Sequence, residues 1–303
     1  MSAIANSSTS RAAGASGTPV RKSRRGVWIY IFLTLVAVLW LVPLLWTLYT
    51  SLRPNAATTA LGYFSVGGGF TFDNFGTAWN SGFGTYLTNS AIITIPAVII
   101  TLFLASCVAF AVSRFTWRFN ITVLILFTAG NLLPPQILAT PIYQLFKNIP
   151  LPLSVADSGS LLNTYFGVII MNIAFQVGFC TFVLSNYMKS LPEDLSEAAR
   201  VDGASVWRQY RSIILPLCRP ALGALATLEV IWIYNDFFWA LLLIQTGNRL
   251  PVTTAINNLK GEFVSNYNLI AAGAMITVIP TLIIYLVLQR QFVAGLTLGA
   301  SKG

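Results

Sequence analysis

Side chains that could do chemistry are few in this sequence, and most fall in two runs. "EAARVDGASVWRQYRSIILP" at residues 197–216 sets Glu197, Arg200, Asp202, Arg208 and Arg211 around a single glycine, Gly203. "EVIWIYNDFFW" at 229–239 places Glu229, Asn235 and Asp236 among Trp232, Tyr234 and Phe237. Glu229 and Asp236 are spaced so that, on one continuous helix, both carboxylates share a face. Aromatic faces beside hydrogen-bonding groups suit a sugar, which offers apolar C–H faces and many hydroxyls. Asn131, Gln136, Asn172 and Gln176 add amide groups to otherwise apolar stretches.

The missing groups narrow the chemistry. Histidine is absent, and no G-x-x-x-x-G-K-[ST] phosphate loop occurs. Cys107, Cys180 and Cys218 lie in or beside apolar runs without metal-ligand spacing, and read as small packing residues. No catalytic residue, metal site or cofactor site is assigned to the chain on these grounds.

The elements that must carry these groups are membrane helices. The chain is 55% hydrophobic and 9% charged over 303 residues, whereas a soluble domain is about a quarter charged. A helix needs about 20 apolar residues to cross a bilayer. Six stretches qualify: 27–49, 86–112, 121–142, 162–184, 220–244 and 268–288. The third is expected to bend or end at Pro134 and Pro135. The expected organisation is a disordered basic terminus over 1–26, a six-helix transmembrane domain over 27–292 and a tail over 293–303. With both ends placed in the cytoplasm, only Arg53, Lys147, Arg249 and Lys260 of the 18 Lys and Arg fall outside. That asymmetry follows the positive-inside rule. It accounts for the net charge of +9 without nucleic acid as a partner.

The longest cytoplasmic loop, 190–219, reads as two short amphipathic helices. "SLPE" at 190–193 fits a capping box. Gly203 is placed to end the first helix in a left-handed conformation. Ser205 is placed to cap a second helix carrying Val206, Trp207, Tyr210, Ile213, Ile214 and Leu217. Pro216 and Pro220 mark the return to the membrane. Glu193, Asp194, Glu197 and Asp202 gather on the first helix, and acids face an anionic leaflet poorly. A protein partner is therefore favoured over a lipid surface for this hairpin.

The hairpin resembles the EAA loop of bacterial ABC-importer permeases: Glu197, Ala198 and Ala199, then Gly203, then Ile213, Leu215 and Pro216 stand at every fixed position of that motif. "SLRPN", "DNF" at 73–75, "LLNTYFGVII" at 161–170, "YNDFFW" at 234–239 and the terminal "QRQFVAGLTLGASKG" are similar to the maltose-type sugar branch of that family. One departure is "NIPLPLSVADSGS" at 148–160, longer than the usual connection there. The resemblance implies an all-α membrane protein with six transmembrane helices, the type I ABC-importer permease fold, and a cytoplasmic coupling helix. It implies that Glu197, Ala198, Ala199, Asp202, Gly203, Ile213, Leu215 and Pro216 form the joint to a separate ATPase. ATP and Mg would be bound by that partner ATPase dimer, and not by this chain. A second permease subunit, an extracytoplasmic sugar-binding protein and the bilayer complete the implied partners, with the chain multi-pass in the bacterial plasma membrane.

Two questions stay open at this level. An ion-coupled secondary transporter is the alternative class; it needs internal repeats around broken helices, and no clear repeat links the two halves. For Glu229, Trp232, Tyr234, Asn235, Asp236 and Phe237, lining a sugar pathway and holding helices together are equally compatible with the sequence. For Asn131, Gln136, Asn172 and Gln176, interhelical hydrogen bonds rank first.

Overall fold

A computed structural model describes the backbone of residues 24–131, 133–259 and 266–300, and the side chains of those between 27 and 289. Residues 1–23 of the expected basic terminus, and 301–303 of the expected tail, lie outside the described residues. The chain falls into two units, Met1–Trp46 and Thr47–Gly303.

In chain order the helices are α1 (Arg24–Leu52), α2 (Asn55–Leu61), α3 (Asp73–Ala78), α4 (Gly84–Arg114), α5 (Asn120–Gly130), α6 (Pro135–Asn148), α7 (Tyr165–Lys189), α8 (Asp194–Val201), α9 (Val206–Gln209), α10 (Leu215–Leu217), α11 (Arg219–Tyr234), α12 (Phe238–Leu243), α13 (Val252–Ala255) and α14 (Tyr267–Ala300). Wide turns at Trp79–Phe83 and Tyr210–Ile214 join α3 to α4 and α9 to α10. Among the described residues the only β pairing is an isolated bridge between Pro150 and Ser160.

Four of the six expected spans lie on single apolar helices, α1, α4, α7 and α14, each long enough to cross a bilayer, and the lead into α4 kinks at Gly82 (φ +98°). The third is divided, as its prolines predict, with Pro134 extended at the start of α6. The fifth departs from expectation. Its helix, α11, stops at Tyr234 after 16 residues, about 24 Å of rise against a hydrocarbon core of about 30 Å. The chain then breaks at 235–237 and resumes as α12. At its other end α11 meets the segment Val206–Leu217 at a bend of 74°.

Packing explains why these apolar helices do not simply dissolve in lipid. α4 runs along α7, with Ala97, Ala105 and Ala109 fully buried on its inner face. Small residues let two backbones approach, which is what drives helix association when lipid is as apolar as leucine. The opposite face of α4 presents Ile92, Ile95, Ile99 and Phe103 outward. α5 meets α7 at Gly178, where a Cβ would collide with the Phe127 carbonyl and lie 2.8 Å from the Asn131 side-chain amide. No larger residue fits this crossing. One apolar cluster ties α4, α7, α11 and α12 through Ile93, Val98, Ile169, Ile233 and Trp239. A second joins α4 and α7 to the hairpin through Phe110, Leu184, Met188, Tyr210 and Ile214.

Candidate functional site

The hairpin is built by local rules and then fastened to the bundle. Gly203 adopts φ +74°. Its N–H donates to the Arg200 carbonyl at 3.0 Å, and the Ala204 N–H donates to the Ala199 carbonyl at 2.8 Å. That reciprocal pair is a Schellman closure, which needs a left-handed residue where glycine stands. Ser205 caps the next helix by accepting from the Arg208 N–H at 3.3 Å. The capping box at 190–193 does not form. The Ser190 hydroxyl donates to the Tyr187 carbonyl at 2.7 Å instead, closing the end of α7, and Glu193 makes no side-chain cap bond. The preceding helix end takes the serine before the next helix can use it.

Glu197, Ala198, Asp202 and Gly203 are exposed, while Ala199 is buried and Ile213, Leu215 and Pro216 are half-buried. The knob thus carries acids beside apolar groups in the open: Val201 is 87% exposed, and Val206 and Trp207 are each more than half exposed. Desolvated apolar centres with charged edges are what protein interfaces use.

Two residues that pattern reading passed over as ordinary helix positions hold this knob. Gln209, buried, donates from Nε2 to the Ala204 carbonyl at 2.9 Å and so locks the turn. Tyr210, also buried, places its hydroxyl 2.7 Å from Ser106 Oγ on α4. Its ring packs against Phe110 and Trp207 at centroid distances of 5.4 and 5.2 Å. From α4, Arg114 donates to the Met188 carbonyl at 2.9 Å at the end of α7, where a cation also meets the negative end of the helix dipole. A tyrosine within an amphipathic segment gives a reader no sign of which hydroxyl across the bundle it will find.

The polar residues of the membrane interior separate into different jobs. Glu229 is fully buried, and its Oε1 accepts from Cys180 Sγ of α7 at 3.1 Å. Asp236 does not share its face, because the helix has already ended. Its Oδ1 accepts from the Trp239 N–H at 3.2 Å and caps α12, and its carbonyl accepts from Thr253 Oγ1 at 2.8 Å. Asn235 is exposed and donates back to the Ile231 carbonyl at 2.7 Å. Tyr234 is buried and donates to the Thr277 carbonyl of α14 at 3.1 Å. Trp232 stacks on Phe179 at 5.3 Å and, like Phe237, is part exposed. Asn172 is buried and donates within its own helix to the Val168 carbonyl at 3.0 Å. Asn131, with its amide turned to satisfy both neighbours, donates to the Phe175 carbonyl and accepts from the Phe179 N–H at 3.2 Å. Gln176 is half-buried and Gln136 exposed. The expected constellation is therefore not one site. Trp232, Asn235, Phe237 and Gln136 are exposed or part exposed, Glu229, Tyr234 and Asn131 bond to neighbouring helices, and Asn172 is turned back on its own.

The end of the bundle remote from the hairpin is tied by asparagines and two arginines. Arg53, 1% exposed, donates to the carbonyls of Ala57, Gly62 and Ser65 and to Ser65 Oγ at 2.8–3.1 Å. Asn163, at φ +59°, accepts from the N–H groups of Gln245 and Thr246 at 3.2 and 3.1 Å. Arg249 donates to the Asn163 carbonyl at 2.7 Å and pairs with Asp157 at 2.6 Å. The long connection at 148–160 is thereby pinned to the loop that follows α12. Asn89 on α4 reaches the same loop, donating to the Asn248 and Leu250 carbonyls at 2.9 Å. The sequence marked 148–160 only by its length.

Comparison with known proteins places this architecture. The family model of the binding-protein-dependent transport system inner membrane component matches residues 97–297. The chain is 32% identical over 270 residues to the xylose/arabinose import permease protein XacI of Haloferax volcanii, covering 84% of this chain and 87% of that one. It is 28% identical over 277 residues to the melibiose/raffinose/stachyose import permease protein MelC of Bacillus subtilis, covering 91% and 96%. Among solved structures, a bacterial ABC transporter that imports the acidic polysaccharide alginate superposes with a TM-score of 0.73 at 23% identity, covering 91% of this chain and 100% of that chain. The fold is the type I importer permease fold, and the chain belongs to the family of binding-protein-dependent transport system inner membrane components.

Proposed function

We propose that this chain forms half of the translocation pathway for a sugar in an ATP-driven importer. The other half is a second permease subunit. The hairpin at 190–219 seats in a separate ATPase dimer that binds ATP and Mg, with both termini on the cytoplasmic side of a bacterial plasma membrane. A sugar-binding protein delivers substrate to the opposite end, where the loops around Asn163 and Arg249 lie. The observation that carries this reading is the hairpin itself. It is a pre-formed, exposed knob with Glu197 and Asp202 at its surface, tied into α4 through Tyr210. Such a joint has a use only if force arrives from outside the membrane. The sugar class is supported by the relatives named for pentoses and for melibiose, raffinose and stachyose.

Glu197→Lys tests this on the reconstituted complex. Reversing a charge at a docked interface costs about 2–5 kcal/mol, so binding-protein-stimulated ATP hydrolysis should fall at least tenfold while the chain still inserts. Normal stimulation in that variant would sink the assignment of the hairpin to an ATPase.

A further inference from the structure

A cleft of about 740 Å³ opens where the α4–α5 turn meets the start of the hairpin, and no step of the proposed transport cycle uses it. Its walls carry Arg118 and Lys189, both exposed, and neither has a carboxylate partner among the described residues. Trp117 stands at the rim, 47% exposed, and Arg118 lies over the Phe119 ring at 4.6 Å. The floor continues into Ile121 and Leu124 of α5, whose outward side chains extend the apolar surface along the helix. Asn120 holds the turn by donating to the Val112 carbonyl at 3.2 Å, yet its Oδ1 is buried without a hydrogen-bond partner.

We infer that this cleft binds the headgroup of an anionic phospholipid. The physical grounds are three. Unpaired cations at a membrane surface gain from anionic headgroups. Tryptophan and exposed phenylalanines mark the interfacial level. An apolar wall running away from the cations along α5 gives an acyl chain a place to lie. Glu193, from the hairpin, shares the cleft and opposes one of the two positive charges. The inference rests on the orientation given under Proposed function, and its test reads lipid contact without any transport step.

The full chain, co-purified with its subunits, is placed in nanodiscs of phosphatidylcholine carrying a trace of phosphatidylglycerol with a photoactivatable acyl chain. Label should be recovered on residues 112–124. It should fall roughly fivefold for each cation removed, in Arg118→Ala and in Lys189→Ala, and recover in Arg118→Lys and Lys189→Arg. Equal labelling by a phosphatidylcholine probe would overturn the inference, as would unchanged labelling in the double alanine variant. Loss of labelling on adding inorganic phosphate would assign the cleft to a soluble anion and overturn the lipid. Absence of label in the intact complex would mark the cleft as covered by protein, again against it. A complex that labels as expected but imports no sugar separates this result from a failure of the transport reading.

Discussion

Replacing Tyr210 by phenylalanine isolates the link between hairpin and membrane. The Ser106 hydroxyl already donates to the Phe103 carbonyl at 2.8 Å, so in the 2.7 Å contact Tyr210 is the donor. Phenylalanine deletes that bond, together with the weak 3.6 Å bond that the hydroxyl accepts from Cys107 Sγ, and leaves the ring against Phe110 and Trp207. Ser106 keeps its carbonyl partner and is not stranded. The net loss is about 1 kcal/mol, which corresponds to roughly a fivefold change in an equilibrium. If closure of the ATPase moves α4 through this contact, Tyr210→Phe should lower sugar imported per ATP hydrolysed about fivefold with basal hydrolysis unchanged. The assay is paired uptake and phosphate release in proteoliposomes holding the whole complex. Ser106→Ala should lower the ratio at least as much, because it leaves the buried Tyr210 hydroxyl without an acceptor, and the double variant should be no worse than Ser106→Ala alone, because one bond cannot be lost twice. An unaltered import-to-hydrolysis ratio in both single variants would refute the idea that the hairpin drives α4 through Tyr210.

Three further outcomes follow from the same geometry. Glu229→Gln should leave the half-saturating sugar concentration unchanged, since that carboxyl faces Cys180 in a fully buried place; a specific rise in it, read by uptake titration, would put Glu229 back on the pathway. Gly178→Leu should lower the melting temperature of the purified chain, because overpacking a helix crossing costs about 1–3 kcal/mol and the added side chain must push α5 off α7. Asp157→Asn should change complex stability by less than about 1 kcal/mol, as its side chain is 80% exposed; Arg249→Ala should cost more, since it also abandons the Asn163 carbonyl, and thermal unfolding of the two side by side decides.

Local signals in the sequence were sufficient where local forces decide the outcome. Gly203 and Ser205 adopt the turn and cap expected of them because both depend on bonds within a few residues. The four spans that lie on single helices follow from length and hydropathy alone. Ser190 shows the limit of such reasoning, since two helix ends competed for one hydroxyl and the pattern named the wrong winner. The fifth span failed for a related cause. "YNDFFW" is apolar enough to extend a helix, but Asp236 is better used in capping α12 than in facing lipid. Arg53 was counted as a loop charge, and its burial among carbonyls depends on a fold of the loop that no periodicity encodes. Gly178 and Asn131 are meaningful only as a pair brought together by the crossing of two helices.

The knot around Arg53 also fixes an order of events during synthesis. Asn268, at the head of the last long helix, donates to the carbonyls of Thr50 and Arg53 and to Thr58 Oγ1 at 2.9–3.0 Å. Thr50 lies 218 positions earlier. Until the ribosome has delivered that final segment, these two carbonyls lack this partner, and only the Arg53 N–H on Thr50 and the Asn74 amide on Arg53 hold them. The first helix to enter the membrane is thus among the last to be finished. A nascent chain halted before Asn268 would hold its early spans in the bilayer with the opening loop still unlatched, a state open to proteases from the side opposite the hairpin.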